Sequence, residues 1–586
     1  MTSPHGRTTC PGLRSLVHPS GPAPSAAILQ AQSHLAAGRL TQAEAIARRA
    51  VTKDPRDPHA ALILGLALRE LNRLDQAATF LERAARLNPR SVDALVAFGD
   101  LCQRTGRFNE GQDAIVRAIE ADPSHEYARV HHADLLLMTG RPEEAAEAAR
   151  ATMTAAPDNF FHAATFASFT CYASTFTPEQ RLAAHRAVAH AVARVPAPPL
   201  PSLDARRADA DPDRPLRVAY LSPDFLTHSV SSFFEPIVAH ADPAKSIPHC
   251  YFASRVRDAT TDRLQAHVAR AGGTWRDLHS PNEAQVAALL REDRVDIAID
   301  LAGYTGSSIL WALRQRVVPI QATYLGYPHS TALPSIDARF VDSITDPAPD
   351  ADALATERLV RLDPVFLCYT PPGEAPAVAP PPSATGAPFT FGSFNLLGKV
   401  SAATRATWAR ILNTVPNSRL LLKDACFGTE PGRERYRALL AASGIDPSRV
   451  DLIGKTRCRA DHLALYGRLD LALDPFPYAG TTTTCEALFM GVPVLTLAGR
   501  GHAERVGASL LSAISLHDLI AGSADDYVTI ATRIAADPAR LASLRAGLRE
   551  RLLASPLCDA PAFVSRWESA LRALWRGWCA RAERPA

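Results

Sequence analysis

Lysine is scarce in this 586-residue chain: only five are present, and arginine supplies most of the positive charge. Lys+Arg (63) and Asp+Glu (60) nearly cancel to a net charge of +3, and no block of basic residues stands out. A surface that binds nucleic acid needs clustered cations. The charge pattern therefore predicts no nucleic-acid partner.

Cysteine pairs and long apolar runs are also missing. The ten cysteines are scattered and form no CxxC pair, so neither a zinc site nor a disulfide framework is indicated. No window approaches 18 uninterrupted apolar residues, which predicts no membrane span. The first 23 residues are rich in Pro, Ser and Gly, lack the apolar core of a signal peptide, and are predicted to be disordered. We therefore expect a cytoplasmic protein.

The first third of the chain has an internal period of 34 residues. Helix-ending prolines keep this period at Pro55, Pro89, Pro123 and Pro157. Residues that tolerate a left-handed turn keep it at Gly38, Asn72, Gly106 and Gly140. Small residues, which let two helices approach closely, keep it at Ala43, Ala77, Gly111 and Ala145. A 34-residue helix–turn–helix unit resembles the tetratricopeptide repeat.

We predict four such units over residues 24–157. Repeats of this kind stack into a solenoid with a concave face, which favours a surface that binds polypeptide. A dimerisation or spacer module is the alternative, and a homodimer is possible. Residues 158–214 are interpreted as a connector: a helix capped by Thr177, out of register with the repeats, followed by a Pro/Asp-rich linker.

From residue 215 onward, short β-rich runs alternate with helical stretches. Strands are predicted at 217–222, 296–306, 389–395, 419–424, 450–454, 469–474 and 493–499. Helical stretches between strands imply βαβ units and parallel sheets, which bind ligands at the carboxyl ends of their strands. A Pro-rich linker at 376–388 separates two predicted Rossmann-like lobes, 215–375 and 389–545. A helical tail over 546–586 follows.

The segment 474–499 carries the most specific pattern. A strand ends at Asp474, a Pro/Gly loop follows, and four threonines open a helix. Free N–H groups at a helix N-terminus suit a diphosphate, so Gly480, Thr481, Thr482 and Thr483 are candidate ligands. Glu486, one turn further on, is a candidate acceptor for ribose hydroxyls. An ordinary Thr-capped helix packed on a sheet is the alternative.

The tetratricopeptide array followed by this segment resembles the O-linked N-acetylglucosamine transferase family, including its bacterial and SPINDLY-like branches. Further stretches similar to that family occur in the same order at 216–242, 296–306, 318–328, 391–401 and 502–511. The resemblance implies a GT-B fold, in which the first lobe faces the acceptor and the second binds a nucleotide-sugar.

By this resemblance His228, after the first strand, is the active-site histidine. It would orient the acceptor or assist removal of its proton, because imidazole titrates near neutrality. Lys399 would neutralise the leaving diphosphate. A helix-capping histidine and a solvated lysine are the respective alternatives.

The resemblance also places His462 beside the nucleotide, Gly303 and Tyr304 on a loop at the sugar, and Tyr327 and Pro328 on a loop of the acceptor side. A histidine on the polar face of a helix and plain strand-ending turns are the alternatives. Among the departures from the family, Leu396 bears most on donor binding: it stands where a polar amide is usual, so one nucleotide contact is expected to be missing or supplied elsewhere.

The residues alone indicate an anion-binding α/β enzyme with a protein-recognition arm, and the resemblance implies an inverting, metal-independent glycosyltransferase without a cofactor. The expected reaction moves GlcNAc from UDP-GlcNAc to Ser/Thr of protein acceptors held by the repeat array. Nothing in the sequence reads the sugar itself, so an O-fucosyl- or N-glucosyltransferase of the same fold remains an alternative. A non-catalytic repeat scaffold on a relic transferase fold is another.

Overall fold

A computed structural model describes residues 23–200, 203, 210–278, 282–306 and 308–582. The stretch predicted to be disordered, 1–23, lies outside the described residues except for its last position, as do parts of the predicted connector and of the C-terminal tail. No helix in the described part of the chain is long and apolar enough to cross a membrane.

The N-terminal part is an array of antiparallel helix pairs, as predicted. Its helices are α1 (Ala26–Ala36), α2 (Leu40–Lys53), α3 (Pro58–Glu70), α4 (Leu74–Leu87), α5 (Val92–Thr105), α6 (Phe108–Ala121), α7 (Glu126–Met138), α8 (Pro142–Ala155), α9 (Phe160–Thr170) and α10 (Pro178–Ala193). Each predicted turn residue adopts the left-handed region, with φ between 59° at Asn72 and 80° at Gly140. The small residue Ala77 is fully buried, where a larger side chain would push two helices apart.

The segment 158–198 contains a fifth helix pair, α9–α10, and the interpretation of this segment as out of register holds only for the second helix. Helix α9 begins at Phe160, 34 residues after α7 begins at Glu126, so the period continues through one more helix. The register is lost only in α10, which begins two residues late after a longer turn. The predicted cap is present: Thr177 Oγ1 accepts from Gln180 N (3.3 Å), and Thr177 N donates to Gln180 Oε1 (2.9 Å).

Two parallel sheets follow the array. The first has the order β3-β2-β1-β4-β5-β6-β7 and the second the order β10-β9-β8-β11-β12-β13. The first contains β1 (Leu216–Ser222), β2 (Ser246–Phe252), β3 (Trp275–Asp277), β4 (Ile297–Asp300), β5 (Ile320–Thr323), β6 (Ala338–Val341) and β7 (Arg358–Arg361). The second contains β8 (Thr390–Ser393), β9 (Arg419–Lys423), β10 (Val450–Ile453), β11 (Leu471–Leu473), β12 (Val494–Leu497) and β13 (Ile520–Ala521). The predicted fold class, a helical repeat solenoid followed by two doubly wound lobes, is confirmed.

Helices cover both sheets. The first lobe has α11 (Ser229–Ala239), α12 (Ala259–Arg270), α13 (Glu283–Glu292) and α14 (Asp350–Ala353). The second has α15 (Ala402–Thr414), α16 (Glu430–Ala442), α17 (Arg459–Leu465), α18 (Thr482–Phe489), α19 (Val506–Ala513), α20 (Ala524–Ala535) and α21 (Pro538–Leu553). The last helix, α22 (Ala560–Ala582), returns to the first lobe, where Trp567 is buried and donates through Nε1 to Tyr220 Oη at 3.0 Å.

All seven predicted strands are present, although most are shorter than predicted. The predicted strand 296–306 ends at Asp300, because the Gly-containing turn that follows leaves the sheet. Six strands were not predicted: β2, β3, β5, β6, β7 and β13. Five of these have four residues or fewer, too few to show a period of two. The longer β2 carries Pro248 and His249 within it, which hides the apolar run of a buried strand.

The carboxyl ends of the two sheets face each other. Asp342 directly follows β6 and accepts a hydrogen bond from Ser509 Oγ of the second lobe at 2.6 Å. Asp346, in the same loop, contacts His502 after β12, with Oδ2 2.5 Å from Nδ1. The edges where parallel sheets bind ligands therefore lie on opposite sides of one cleft.

The last helix pair of the array, α9–α10, contacts both edges of this cleft. Arg181 of α10 pairs with Glu504 of the second lobe (Nη1 to Oε1, 2.5 Å). His185, one turn further along, is hydrogen-bonded to Tyr327 Oη of the first lobe at 2.7 Å from Nε2. The array is thus anchored on both lobes at the position where the site is expected.

Candidate active site

In the second lobe, Lys399 follows β8 on a short 3₁₀ turn, Leu397–Lys399. Its Nζ donates to the carbonyl oxygen of Ala479 at 2.9 Å and lies 3.9 Å from the ring centroid of Tyr478. Burial lowers the pKa of Lys399, and the nearby Asp474 carboxylate opposes that shift. The alternative of a solvated Lys399 is therefore wrong, because protein groups contact its ammonium.

Asp474, directly after β11, holds the loop that leads into α18. Its Oδ1 accepts from Gly480 N at 2.6 Å, and its Oδ2 accepts from Thr496 Oγ1 at 2.8 Å. A Cβ at Gly480 would lie 2.6 Å from Thr484 Oγ1 and 2.8 Å from Asp474 Oδ1. Only glycine fits there, and it brings the loop backbone to the start of the helix.

The threonine-rich segment opens α18, as predicted. The N-cap residue of α18 is Thr481, and its side chain accepts no hydrogen bond from the first turn of the helix. The first-turn N–H groups therefore have no capping side chain. Thr483 Oγ1 donates to Asn395 Oδ1 at 2.8 Å, which ties the helix to the strand-end of β8. The hydroxyls of Thr482 and Thr484 are buried and have no hydrogen-bond partner among the described residues. An uncapped N-terminus with spare hydroxyls provides donors for an anion.

Glu486 and His462 contact each other. His462 Nε2 lies 3.0 Å from Glu486 Oε2, and Arg459 lies 3.5 Å from Oε1 of the same carboxylate. The His462 ring also packs edge-on against Tyr466, with centroids 5.5 Å apart. His462 is thus not on a solvated helix face, and each oxygen of Glu486 has a protein partner, His462 at Oε2 and Arg459 at Oε1.

In the first lobe, His228 caps α11, which was the alternative that we kept for it. Its Nδ1 accepts from Val230 N at 3.3 Å and lies 3.8 Å from Asp224 Oδ2. Burial lowers the pKa of His228, so the ring is neutral at pH 7. Because Nδ1 accepts, the proton of the neutral ring is on Nε2. His228 therefore presents a donor rather than a base.

The two predicted loops of the first lobe support each other. A Cβ at Gly303 would lie 2.2 Å from Cβ of Tyr327, so only glycine allows this approach. Tyr304 is buried and donates to the carbonyl of Thr331, while Tyr327 and Pro328 are buried beside α10. The side chains of Tyr304 and Tyr327 thus pack inside the lobe rather than projecting from their loops.

Acidic residues at strand ends were not among the predicted site residues. Asp300 ends β4, is fully buried, and accepts from Gly303 N at 2.6 Å through Oδ2. Its Oδ1 has no partner among the described residues, and burial raises the pKa of Asp300 to about 7. Burial also raises the pKa of Asp424, after β9, to about 6. An acid directly after a buried strand was the sequence signal for both.

The structure thus gathers the predicted residues into two groups on facing lobes. Lys399, Gly480, the threonines, Glu486 and His462 share the carboxyl edge of the second sheet. His228 and Gly303 share that of the first. Within the described residues, no group of three or more His, Cys, Asp and Glu side chains could hold a metal ion.

A helical repeat array followed by two facing Rossmann-like lobes is the architecture of a glycosyltransferase of the GT-B class. The chain belongs to glycosyl transferase family 41, whose profile matches residues 181–368 and 385–566. The tetratricopeptide repeat family matches residues 28–92 and 96–160.

The chain is similar to several named proteins. It is 45% identical over 369 residues to the probable UDP-N-acetylglucosamine–peptide N-acetylglucosaminyltransferase SPINDLY of Petunia hybrida, covering 63% of this chain and 40% of that protein. A UDP-N-acetylglucosamine–peptide N-acetylglucosaminyltransferase of Caenorhabditis elegans is 24% identical over 490 residues, covering 64% and 42%. The chain thus spans about two fifths of these relatives.

Among solved structures, a mutant O-GlcNAc transferase of Thermobaculum terrenum matches with a TM-score of 0.81 and 30% identity. The match covers 90% of this chain and 98% of that one. The shared arrangement therefore includes the repeat array as well as both lobes, and the predicted family is confirmed.

Proposed function

We propose that this protein is an inverting, metal-independent transferase that moves GlcNAc from UDP-GlcNAc to Ser or Thr of protein acceptors. The observation that carries the proposal is the half-buried Lys399 ammonium, which donates to the Ala479 carbonyl two residues before the uncapped N-terminus of α18. The names of the similar proteins from Petunia and Thermobaculum support GlcNAc as the sugar and, for the former, peptide as the acceptor.

The diphosphate of the donor would bind between these two positive features. The first-turn N–H groups of α18 and the hydroxyls of Thr481 and Thr482 donate to phosphate oxygens. The Lys399 ammonium neutralises the negative charge that grows on the diphosphate as the glycosidic bond breaks. Cationic and dipolar groups of the protein thus do what a bound metal does in other transferases. No cofactor is needed for this step.

The nucleoside would lie toward His462 and Glu486. Glu486 Oε1, which faces Arg459 at 3.5 Å, keeps a lone pair that can accept a ribose hydroxyl, while the bond from His462 to Oε2 holds the carboxylate in place. Leu396 offers no hydrogen bond at the position where the family usually has an amide. Contacts from the Gly303 and Pro328 loops of the first lobe would then carry more of the donor and acceptor recognition.

The acceptor hydroxyl would attack from the first-lobe side, which inverts the anomeric carbon in one displacement. His228 donates from Nε2 and so orients the acceptor oxygen without removing its proton. Asp300 is suited to take up that proton, because its pKa of about 7 lies close to the working pH. The repeat array, anchored beside this face, would hold the polypeptide that carries the hydroxyl.

The direct test is transfer by the full-length protein with UDP-GlcNAc, UDP-glucose and GDP-fucose in EDTA. The proposal predicts added mass on protein acceptors from UDP-GlcNAc, loss of transfer in Lys399→Met, and loss in His228→Ala. Transfer from GDP-fucose alone, or glucose added to Asn, would establish the other chemistries of the same fold. Absence of transfer from all three donors, together with no nucleotide binding, would leave a non-catalytic scaffold.

Two further expectations belong to this proposal. The first is that transfer to protein acceptors takes place in the cytoplasm. Self-association of the array into a homodimer would leave the cleft free, because the cleft lies between the lobes. Sedimentation of the purified protein reports the second of these independently of activity.

A further inference from the structure

Two tyrosines connect the repeat array to Lys399. Tyr478 lies in the loop between β11 and α18, and Tyr172 lies in the turn between α9 and α10. Their ring centroids are 4.7 Å apart at an interplanar angle of 42°. The Lys399 ammonium lies 3.9 Å from the centroid of the Tyr478 ring. A residue of the array thus contacts the ring on which the cation rests.

The ring face stabilises the charged form of the lysine. An ammonium over an aromatic face gains energy from the ring quadrupole, and more so when water is excluded. Burial lowers the pKa of Lys399, and only the Asp474 carboxylate acts against that shift as a full charge. The other groups that face the ammonium are the Ala479 carbonyl and the Tyr478 ring. Both phenols are neutral, because burial raises the pKa of Tyr172 and of Tyr478.

A second contact joins the array to the same lysine. The 3₁₀ turn that carries Lys399 packs against α7, and a Cβ at Gly398 would lie 3.0 Å from the side chain of Leu137. The turn that carries Lys399 therefore packs against the repeat helix α7, while the ammonium of Lys399 contacts a ring that packs against the last helix pair.

We propose that Tyr478 is a positioning residue for Lys399 and that Tyr172 holds Tyr478 in place. The helix pair that ends the array would then help fix the cation that acts on the leaving diphosphate. This inference rests on the proposed function of Lys399. It extends that function to a loop tyrosine and to a residue of the array.

The test compares four full-length variants by the pH dependence of kcat/KM for transfer. Tyr478→Phe keeps the ring and removes only the hydroxyl, so most of the activity is expected to remain. Tyr478→Leu removes the ring face; kcat/KM should fall about tenfold, which corresponds to a cation–π contact between an exposed and a fully desolvated one in strength. In Tyr172→Leu kcat/KM should fall about threefold, and in Tyr172→Phe it should fall by less.

The pH profile separates positioning from mere packing. Activity is lost as pH rises through the pKa of Lys399, because the ammonium is the active form. Removing the Tyr478 ring destabilises that form, so the basic limb should move about one pH unit lower, equivalent to the same tenfold change. Tyr172→Leu should move the basic limb in the same direction but by less than Tyr478→Leu does. Tyr478→Phe should leave the basic limb at the wild-type pH.

The outcomes distinguish this inference from the proposed function. A Lys399→Met variant as active as wild type would contradict the role of the lysine itself. Inactive Lys399→Met together with an unmoved basic limb in folded Tyr478→Leu would overturn the inference alone. An equal loss in Tyr478→Phe and Tyr478→Leu would also overturn it, since the ring face would then not matter. If Tyr478→Leu does not fold, the basic limb of the pH profile of Tyr172→Leu is the test. A basic limb at the wild-type pH in that variant would overturn the inference.

Discussion

Gly480 is the residue at which the loop after β11 meets the start of α18. A Cβ there would come within 2.8 Å of three side-chain oxygens, those of Thr483, Thr484 and Asp474. We predict that Gly480→Ala weakens UDP binding at least tenfold, because the first turn of the helix must shift. Gly428→Ala is the matched control, since a Cβ there meets open space. Calorimetric titration with UDP measures both, and equal affinities would show that the loop tolerates the shift.

Asp300 makes the stability of the first lobe depend on pH. Its folded pKa of about 7 lies above the unfolded value of about 3.9, so the unfolded chain loses this proton first as pH rises. Stability from this group is full below about pH 4 and lost by about pH 7. We predict that between pH 5 and pH 8 Asp300→Asn gains roughly 3 kcal/mol in free energy of unfolding relative to wild type.

Thermal unfolding across this pH range checks the Asp300 prediction. An asparagine keeps an acceptor for Gly303 N, so the loop should stay in place while transfer activity falls. A gap in Tm between variant and wild type that does not change with pH would contradict the assignment.

The roles of single residues were only partly predictable from the sequence. The threonines and Gly480 were predicted from a strand–loop–helix pattern, whereas Lys399 was predicted only from the family resemblance. That His462 holds Glu486, and that His228 caps α11 through Nδ1, depends on rotamers and partners that a motif does not specify. The burial of Tyr304 and Tyr327 depends on α10, whose position no local pattern indicates.

At the scale of elements, α10 joins the array to both lobes, and Arg181 is its main polar contact. The side chain is buried, pairs with Glu504, and donates through Nε to the Thr170 carbonyl at 3.0 Å. Removing one partner of a buried pair leaves the other without compensation, so Arg181→Ala should destabilise the protein by about 3 kcal/mol. Arg186→Ala, exposed on the same helix, should change stability by less than about 0.5 kcal/mol.

Differential scanning calorimetry compares these two variants directly. Equal Tm values for Arg181→Ala and Arg186→Ala would mean that the contact adds nothing to the junction. A lower Tm for Arg181→Ala alone would confirm that α10 is held to the second lobe through this residue.

Elements with a strong period were predictable, and short ones were not. The 34-residue period located the repeat helices, because three positions per unit repeat it. Strands such as β13, with two residues, have no periodicity of their own and form only because neighbouring strands offer hydrogen bonds. The fifth helix pair was missed as a repeat because α10 follows a longer turn, although α9 keeps the period.

At the scale of the whole molecule, the array contacts the second lobe through its C-terminal half. Arg435 pairs with Asp113 of α6 (2.6 Å), and Arg405 donates to the carbonyl of Gly140 after α7 (3.0 Å). We therefore predict that a chain lacking residues 1–88, and with them α1–α4, binds UDP within about twofold of the full chain, in the range that additivity of distant sites allows. Its transfer to protein acceptors should fall by far more than its transfer to a short peptide.

The comparison of peptide and protein acceptors decides that prediction. Equal losses for both acceptors would mean that α1–α4 support the fold rather than the acceptor. The arrangement of array and lobes could not have been predicted from sequence, because it depends on contacts hundreds of residues apart, such as Asn109 with Cys426.

The central claim is that Lys399 and the N-terminus of α18 form a diphosphate site that needs no metal. Calorimetric titration of UDP and of uridine, both in EDTA, tests it most directly in wild type and Lys399→Met. We predict that wild type binds UDP in EDTA and that Lys399→Met binds it at least tenfold more weakly. Uridine should bind both proteins alike. Wild-type binding that is lost in EDTA, or equal UDP affinity in the two proteins, would contradict the claim.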